Sequence, residues 1–147
     1  MKIKKYAAID IGSNGVRLLV SNVIKYKKKQ VILKNTFVRV PIRLGEDSFT
    51  SGTISEKNKK RIVKSMKAFK LLMKVHGVKE YMAYATSALR EAKNGKNVVK
   101  EIFAKSGVKV EIIDGKKEAK IISNTNLFNV EGNEKTFLYV DVGGGST

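Results

Sequence analysis

Cysteine and tryptophan are absent from the 147 residues, and proline and histidine occur once each. Without cysteine no disulfide can staple the fold, which fits a reducing compartment such as the cytoplasm. The single histidine, His76, stands at the end of a helical pattern and reads as an end-of-helix charge rather than a catalytic base. Aromatic residues make up only 7% and fall mostly in strand-like runs, which argues against base stacking on nucleic acid. Long hydrophobic runs are missing too. The apolar stretch after Lys5 is interrupted by Asp10, Gly12, Asn14 and Arg17, so it is neither a signal peptide nor a membrane span. Acidic residues are scarce, 13 against 30 Lys and Arg, leaving a net charge of +17. Such an excess attracts a polyanion (polyphosphate, a highly phosphorylated nucleotide or nucleic acid), or it coats exposed faces with lysine, as residues 25–29 and 57–64 suggest.

What is present is enough for one domain with a real core: 42% of the residues are hydrophobic. Residues 6–10 and 16–24 read as strands, joined by a two-residue hairpin at Asn14-Gly15, where both positions tolerate positive φ. Residues 31–43 read as a third strand, with Pro41 weakening its end or placing it at an edge. Residues 44–53, with Gly45 and Gly52, read as a loop. Ser55 then caps a helix that runs to about His76, with Ile62, Met66, Phe69 and Met73 at helical spacing. A fourth strand is expected over 81–86, a short turn over 87–90, a helix over 97–105, a strand over 108–113 and a helix over 115–126. The order βββαβαβα, with strands following helices, implies parallel crossovers: an α/β fold with a mixed sheet flanked by helices. Residues 129–134 form a polar break, and 136–142 start a new strand. The division expected is a first domain over 1–130 and the start of a second over 131–147. Segment 137–142, a hydrophobic strand without its own sheet, is expected to pair with another chain or fold against the first domain.

Two stretches carry chemistry. In each, an apolar strand delivers an aspartate and then a glycine-rich turn with a hydroxyl: Asp10-Ile11-Gly12-Ser13-Asn14-Gly15 and Asp141-Val142-Gly143-Gly144-Gly145-Ser146. Successive exposed amides make a concave anion site, and a neighbouring carboxylate can hold hydrated Mg²⁺. Two such turns suggest a phosphate gripped from two sides. Ser13, Thr86 and Ser87 have no base at a telling spacing and read as phosphate or turn hydrogen-bonders.

With Ala85-Thr86-Ser87-Ala88-Leu89-Arg90-Glu91-Ala92 and Gly115-Lys116-Lys117-Glu118-Ala119, these turns complete four stretches in order. The chain resembles the N-terminal half of the exopolyphosphatase/guanosine pentaphosphate phosphohydrolase family, within the actin, Hsp70 and sugar kinase superfamily. The resemblance implies a ribonuclease H-like (actin-like ATPase) domain and hydrolysis of terminal phosphate from inorganic polyphosphate or guanosine pentaphosphate. It implies Mg²⁺ held by Asp10 and Asp141, and phosphate held by Gly12, Ser13, Asn14, Arg90, Gly143, Gly144, Gly145 and Ser146. Glu118 would orient or deprotonate the attacking water, helped by the dipole of the helix it opens. Family members often form homodimers and usually carry two adjacent glutamates in the third stretch, the first of which is Lys117 here. They also continue past the second turn, so the 147 residues alone are expected to be inactive. The competing readings are a non-catalytic polyphosphate or nucleotide sensor, a kinase of the same fold, and a nucleic-acid binder recruited by charge.

Overall fold

Apolar alternation at the start of the chain builds one wall of the core. Ala7, Ile9 and Ile11 of β1 (Lys2–Ile11) are buried on one face, and Val16, Leu18 and Val20 of β2 (Val16–Tyr26) join them. The structure, a computed structural model, describes residues 2–27, 29–123 and 143–145. β3 (Lys29–Val40) follows, then α1 (Leu44–Ser51), α2 (Glu56–Val75), β4 (Glu80–Ala85), α3 (Ser87–Glu91), α4 (Gly95–Ser106), β5 (Glu111–Ile112) and α5 (Gly115–Ser123). The expected strand at 136–142, the polar break before it and the end of the helix expected to reach 126 lie outside the described residues.

The five strands form one mixed sheet in the order β3-β2-β1-β4-β5. β1, β2 and β3 are antiparallel neighbours, whereas β4 runs parallel to β1 and β5 parallel to β4. The parallel pairs follow from the helices between them, since a chain must cross back over the sheet to re-enter in the same direction. β3 is an edge, and Pro41 lies just past its end. Among the described residues no helix is long and apolar enough to cross a membrane.

Ser55 caps α2 by accepting the Asn58 amide at 3.3 Å, and Gly77 at φ 70° ends it. Ile62, Met66, Phe69 and Met73 share the core with Val98 and Ile102 of α4. Burying a side chain such as Phe69 stabilises by about 1.5–3 kcal/mol. His76 caps the C-terminus of α2, and its Nε2 lies 3.1 Å from the Thr36 hydroxyl, tying the helix end to β3.

Four expectations are corrected. Residues 44–51 form α1 rather than a loop, because its glycines are end punctuation: Gly45 lies in the first turn against Ser13 and Phe49, and Gly52, at φ 72°, caps the end. The turn expected at 87–90 closes into α3. Only Glu111 and Ile112 of the expected fifth strand pair with β4; Val108 and Val110 are buried without a ladder. Finally, β1 and β2 are joined by four residues, Gly12–Gly15, between the paired Ile11 and Val16, and none of the four has positive φ. Gly15 is there for space, since a Cβ would press on the Val40 carbonyl oxygen at 3.0 Å.

Candidate functional site

Successive strand residues face opposite sides of a sheet. Asp10 therefore sits between two core residues, Ile9 and Ile11, yet faces away from the core. On that side a cavity of 390 Å³ opens between the end of β1 and α5, lined by Asp10, Gly12, Ser13, Asn14, Arg17, Thr86, Ser87, Glu118, Gly143 and Gly144. Ala8, Tyr84, Ile113, Ile121 and Ile122 give it an apolar floor. Topology explains the convergence. β1, β4 and β5 are adjacent and parallel in register, so the segments leaving their C-terminal ends meet at one edge of the sheet. Ligands bind in that position in open α/β sheets.

The loop at 12–15 is held from several directions. The Gly12 amide donates to the Gly15 carbonyl at 3.1 Å, the Arg43 amide to the Asn14 carbonyl at 3.3 Å, and the Gly45 amide to the Ser13 carbonyl at 2.8 Å. Ser13 and Ser87 share a buried hydroxyl–hydroxyl hydrogen bond of 2.9 Å, and the Thr86 amide donates to the Ile11 carbonyl at 3.2 Å. Two groups expected to face phosphate are thus engaged within the fold: the Gly12 amide and the Ser13 hydroxyl. The amides of Ser13 and Asn14, two residues that line the cavity, have no acceptor among the described residues, and adjacent unpartnered amides are the donors an anion site uses.

Gly143 and Gly144 line the same cavity. A Cβ on Gly144 would collide with the Asn14 carboxamide, and one on Gly145 with the Phe49 ring. The second glycine turn therefore lies directly against the first, where a side chain would have to displace the Asn14 carboxamide or the Phe49 ring. Asp141 and Ser146 lie outside the described residues.

Glu118 enters from the first turn of α5. Asp114 caps that helix, its Oδ1 accepting the Lys117 amide at 2.7 Å and its carbonyl the Glu118 amide at 3.0 Å. Lys117 does not line the cavity: its ammonium donates to Glu111 at 2.6 Å and lies 5.0 Å from the Tyr84 ring centre. The hydrogen bond to Glu111 holds the Lys117 ammonium above its ordinary pKa, so it stays charged and paired.

Arg90 is absent from the cavity lining. Its Nη1 donates to the Ile113 carbonyl at 3.0 Å and its Nε to Glu91 at 3.1 Å, with Nη1 also 3.6 Å from Glu118 Oε2. Nε and Nη1 of the guanidinium expected to fork onto phosphate oxygens are engaged by protein acceptors beside Glu118. Arg17, which sequence reasoning did not single out, lines the cavity instead. Its Nη1 donates to Asp10 Oδ2 at 2.8 Å, with both side chains nearly half exposed. The hairpin register contains the signal, because closing the loop on Ile11 and Val16 sets residue 10 opposite residue 17.

Among the described residues no three His, Cys, Asp or Glu side chains cluster as a metal site. Mg²⁺ does not require one. It keeps several waters and is typically held by one or two carboxylates plus substrate phosphate. Asp10, with Oδ1 outside the Arg17 contact, and Glu118 in the same cavity fit a largely hydrated ion of that kind.

A mixed sheet with helices on its faces and two glycine turns meeting at the ends of its parallel strands is the actin-like ATPase architecture. Comparison with known proteins narrows this. Residues 23–147 match the Ppx/GppA phosphatase family. The chain belongs to that family and covers its N-terminal domain. It is 31% identical over 145 residues to the bifunctional 3-dehydroquinate synthase/phosphatase of Fusobacterium nucleatum, covering 96% of this chain and 22% of that protein. It is 26% identical over 142 residues to exopolyphosphatase 1 of Mycobacterium bovis, covering 97% of this chain and 40% of that one. The crystal structure of the Aquifex aeolicus family member superposes with a TM-score of 0.71 at 28% identity, over 80% of this chain and 37% of that one. The chain thus spans well under half the length of these relatives.

Proposed function

We propose that the chain forms the first wall of a phosphoanhydride hydrolase that releases terminal phosphate from inorganic polyphosphate or guanosine pentaphosphate. The observation that carries this reading is the single cavity shared by Asp10, Glu118, the loop at 12–15 and Gly143–Gly144. Phosphoryl transfer asks mainly for positioning and charge stabilisation. The free amides of Ser13 and Asn14 receive phosphate oxygens, and Gly143 and Gly144 close on the same group from the opposite side. Glu118 accepts a hydrogen bond from the attacking water and takes its proton as the new P–O bond forms and the anhydride P–O bond on the opposite side breaks, the shortened chain leaving as a terminal phosphate oxyanion. Arg90, beside that carboxylate, positions it. Asp10, with Asp141, would hold Mg²⁺, whose contribution is to neutralise phosphate charge.

Residues from about 131 onward begin a second domain in this reading, and the opposite wall of the cleft comes from it. The test is phosphate release from polyphosphate and guanosine pentaphosphate by the protein at its genomic length. Glu118→Gln is expected to lower turnover by about 10²–10⁴-fold, the range for a lost general base. Turnover at the parent rate in that variant would overturn the assignment. Unhindered polyphosphate binding without phosphate release by the parent itself would favour a sensor, the reading that Lys117 motivates.

A further inference from the structure

The cavity accounts for little of the positive charge. α2 carries eight basic residues against Glu56, and α4 three against Glu101, so these two helices hold nine of the +17 net charges. They pack together on the core face of the sheet, whereas the cavity opens on the other face. Lys57, Lys60, Lys64 and Lys67 recur at three- and four-residue spacing along the exposed side of α2, an axial run of about 15 Å at 1.5 Å per residue. Lys96 and Lys100 are exposed on α4. Other cations of this layer are occupied: Lys59 pairs with Glu56, Lys105 with Glu101, and Arg61 donates to the Pro41 and Ile42 carbonyls. Lys60, Lys64 and Lys67 pair with no acid among the described residues.

We infer that the exposed face of α2 and α4 is a second anion-binding surface, separate from the cavity, that holds the outlying stretch of a long inorganic polyphosphate chain. The inference rests on the proposed function for its choice of ligand. A row of flexible lysines on a convex helix offers point charges without a fixed geometry, which suits a uniform phosphate polymer. The lysine row itself, on α2, has no exposed aromatic side chain beside it to stack a base (Phe103 is exposed on α4), and Arg61, the sole guanidinium of α2, is committed to the chain's own carbonyls. A polymer longer than the cavity must lie along the protein surface, and this face offers it a row of exposed lysines with no neutralising acid among the described residues.

The experiment compares the 147-residue chain with Lys60→Glu/Lys64→Glu/Lys67→Glu and with the corresponding triple Gln variant, each checked for parent circular dichroism. The probes are long-chain polyphosphate, tripolyphosphate and duplex DNA, titrated across a salt series. The Glu variant is expected to bind long-chain polyphosphate at least about tenfold more weakly. Its log–log salt slope is expected to fall by about 2, as for three contacts at about 0.7 each. The Gln variant should fall between, and tripolyphosphate binding should be unchanged. Parent-like long-chain binding by the Glu variant would overturn the inference. So would an equal loss for tripolyphosphate, or parent affinity for duplex DNA matching that for long-chain polyphosphate. Should the parent bind the long chain but not tripolyphosphate, the helical surface stands by itself, and the cavity reading is judged separately by the Glu118→Gln turnover.

Discussion

Replacing Arg90 with alanine separates two roles that a phosphate-site arginine can have. Within the fold its Nη1 donates to the Ile113 carbonyl at 3.0 Å, next to the turn that launches α5. A hydrogen bond with a charged donor contributes about 1.5–3 kcal/mol. The contacts to Glu91 and Glu118 are discounted, because the Arg90 side chain is a quarter exposed and the Glu118 separation is 3.6 Å; each adds about 0–1 kcal/mol. Arg90→Ala is therefore expected to cost about 1.5–5 kcal/mol. With a urea dependence of about 2 kcal/mol per molar, the unfolding midpoint falls by about 0.8–2.5 M. Arg90→Lys retains the charge but not the fork and should fall in between. Urea unfolding followed by circular dichroism reads the stability, and tripolyphosphate titration reads the site. A midpoint within about 0.2 M of the parent, together with lost tripolyphosphate binding, would refute the argument. It would mean that the guanidinium serves the ligand directly and not the fold.

Other expected outcomes are independent of Arg90. A methyl group at Gly95 would collide with the Leu89 carbonyl, so Gly95→Ala should destabilise by about 1–3 kcal/mol in the same unfolding assay. Asp47 Oδ2 accepts from the Ser55 amide at 2.8 Å, the Ser55 hydroxyl at 2.7 Å and Asn58 Nδ2 at 2.9 Å. Burial works to raise its pKa, but the bonds from Ser55 and Asn58 and the charge of Lys57 outweigh it, and the net shift is downward. The folded carboxyl thus releases its proton more readily than the unfolded one. The stability it adds is complete above the unfolded pKa of about 3.9 and is lost as pH falls through the lower folded value. Asp47→Asn should flatten the pH dependence of the urea midpoint in that acidic window, and an unchanged slope would count against it.

Periodic residues made much of this fold legible. Ala7, Ile9 and Ile11 alternate, and Ile62, Met66, Phe69 and Met73 recur at helical spacing, and all seven are buried in one core. The order of strands and helices was enough to require a mixed sheet. Short elements were less legible because tertiary contacts make them. α1 has no apolar stripe of its own and exists against the loop at 12–15, while β5 is reduced to two residues because Val108 and Val110 are held by the core rather than by a ladder. At the site, the aspartate and glycine turns stood out by composition, and Glu118 came through family resemblance. Hidden from both were the partners that consume candidate donors. Ser13 meets Ser87, 74 positions later, and Arg90 meets Ile113, 23 positions later. Arg17 was hidden by an assumption about turn length: a two-residue hairpin gives a different pairing from the four-residue loop observed.

The contact between α1 and the loop has a consequence for how that loop meets an anion. A trans peptide unit is flat, with its C=O and N–H pointing in opposite directions. When the Gly45 amide holds the Ser13 carbonyl, it also orients the next N–H, that of Asn14, away from α1. By holding one end of that peptide unit, the short helix acts as a rudder for the N–H at the other. That direction is set when the protein folds, so in the proposed site a phosphate would meet a donor already fixed, with little local rearrangement left for the moment of binding.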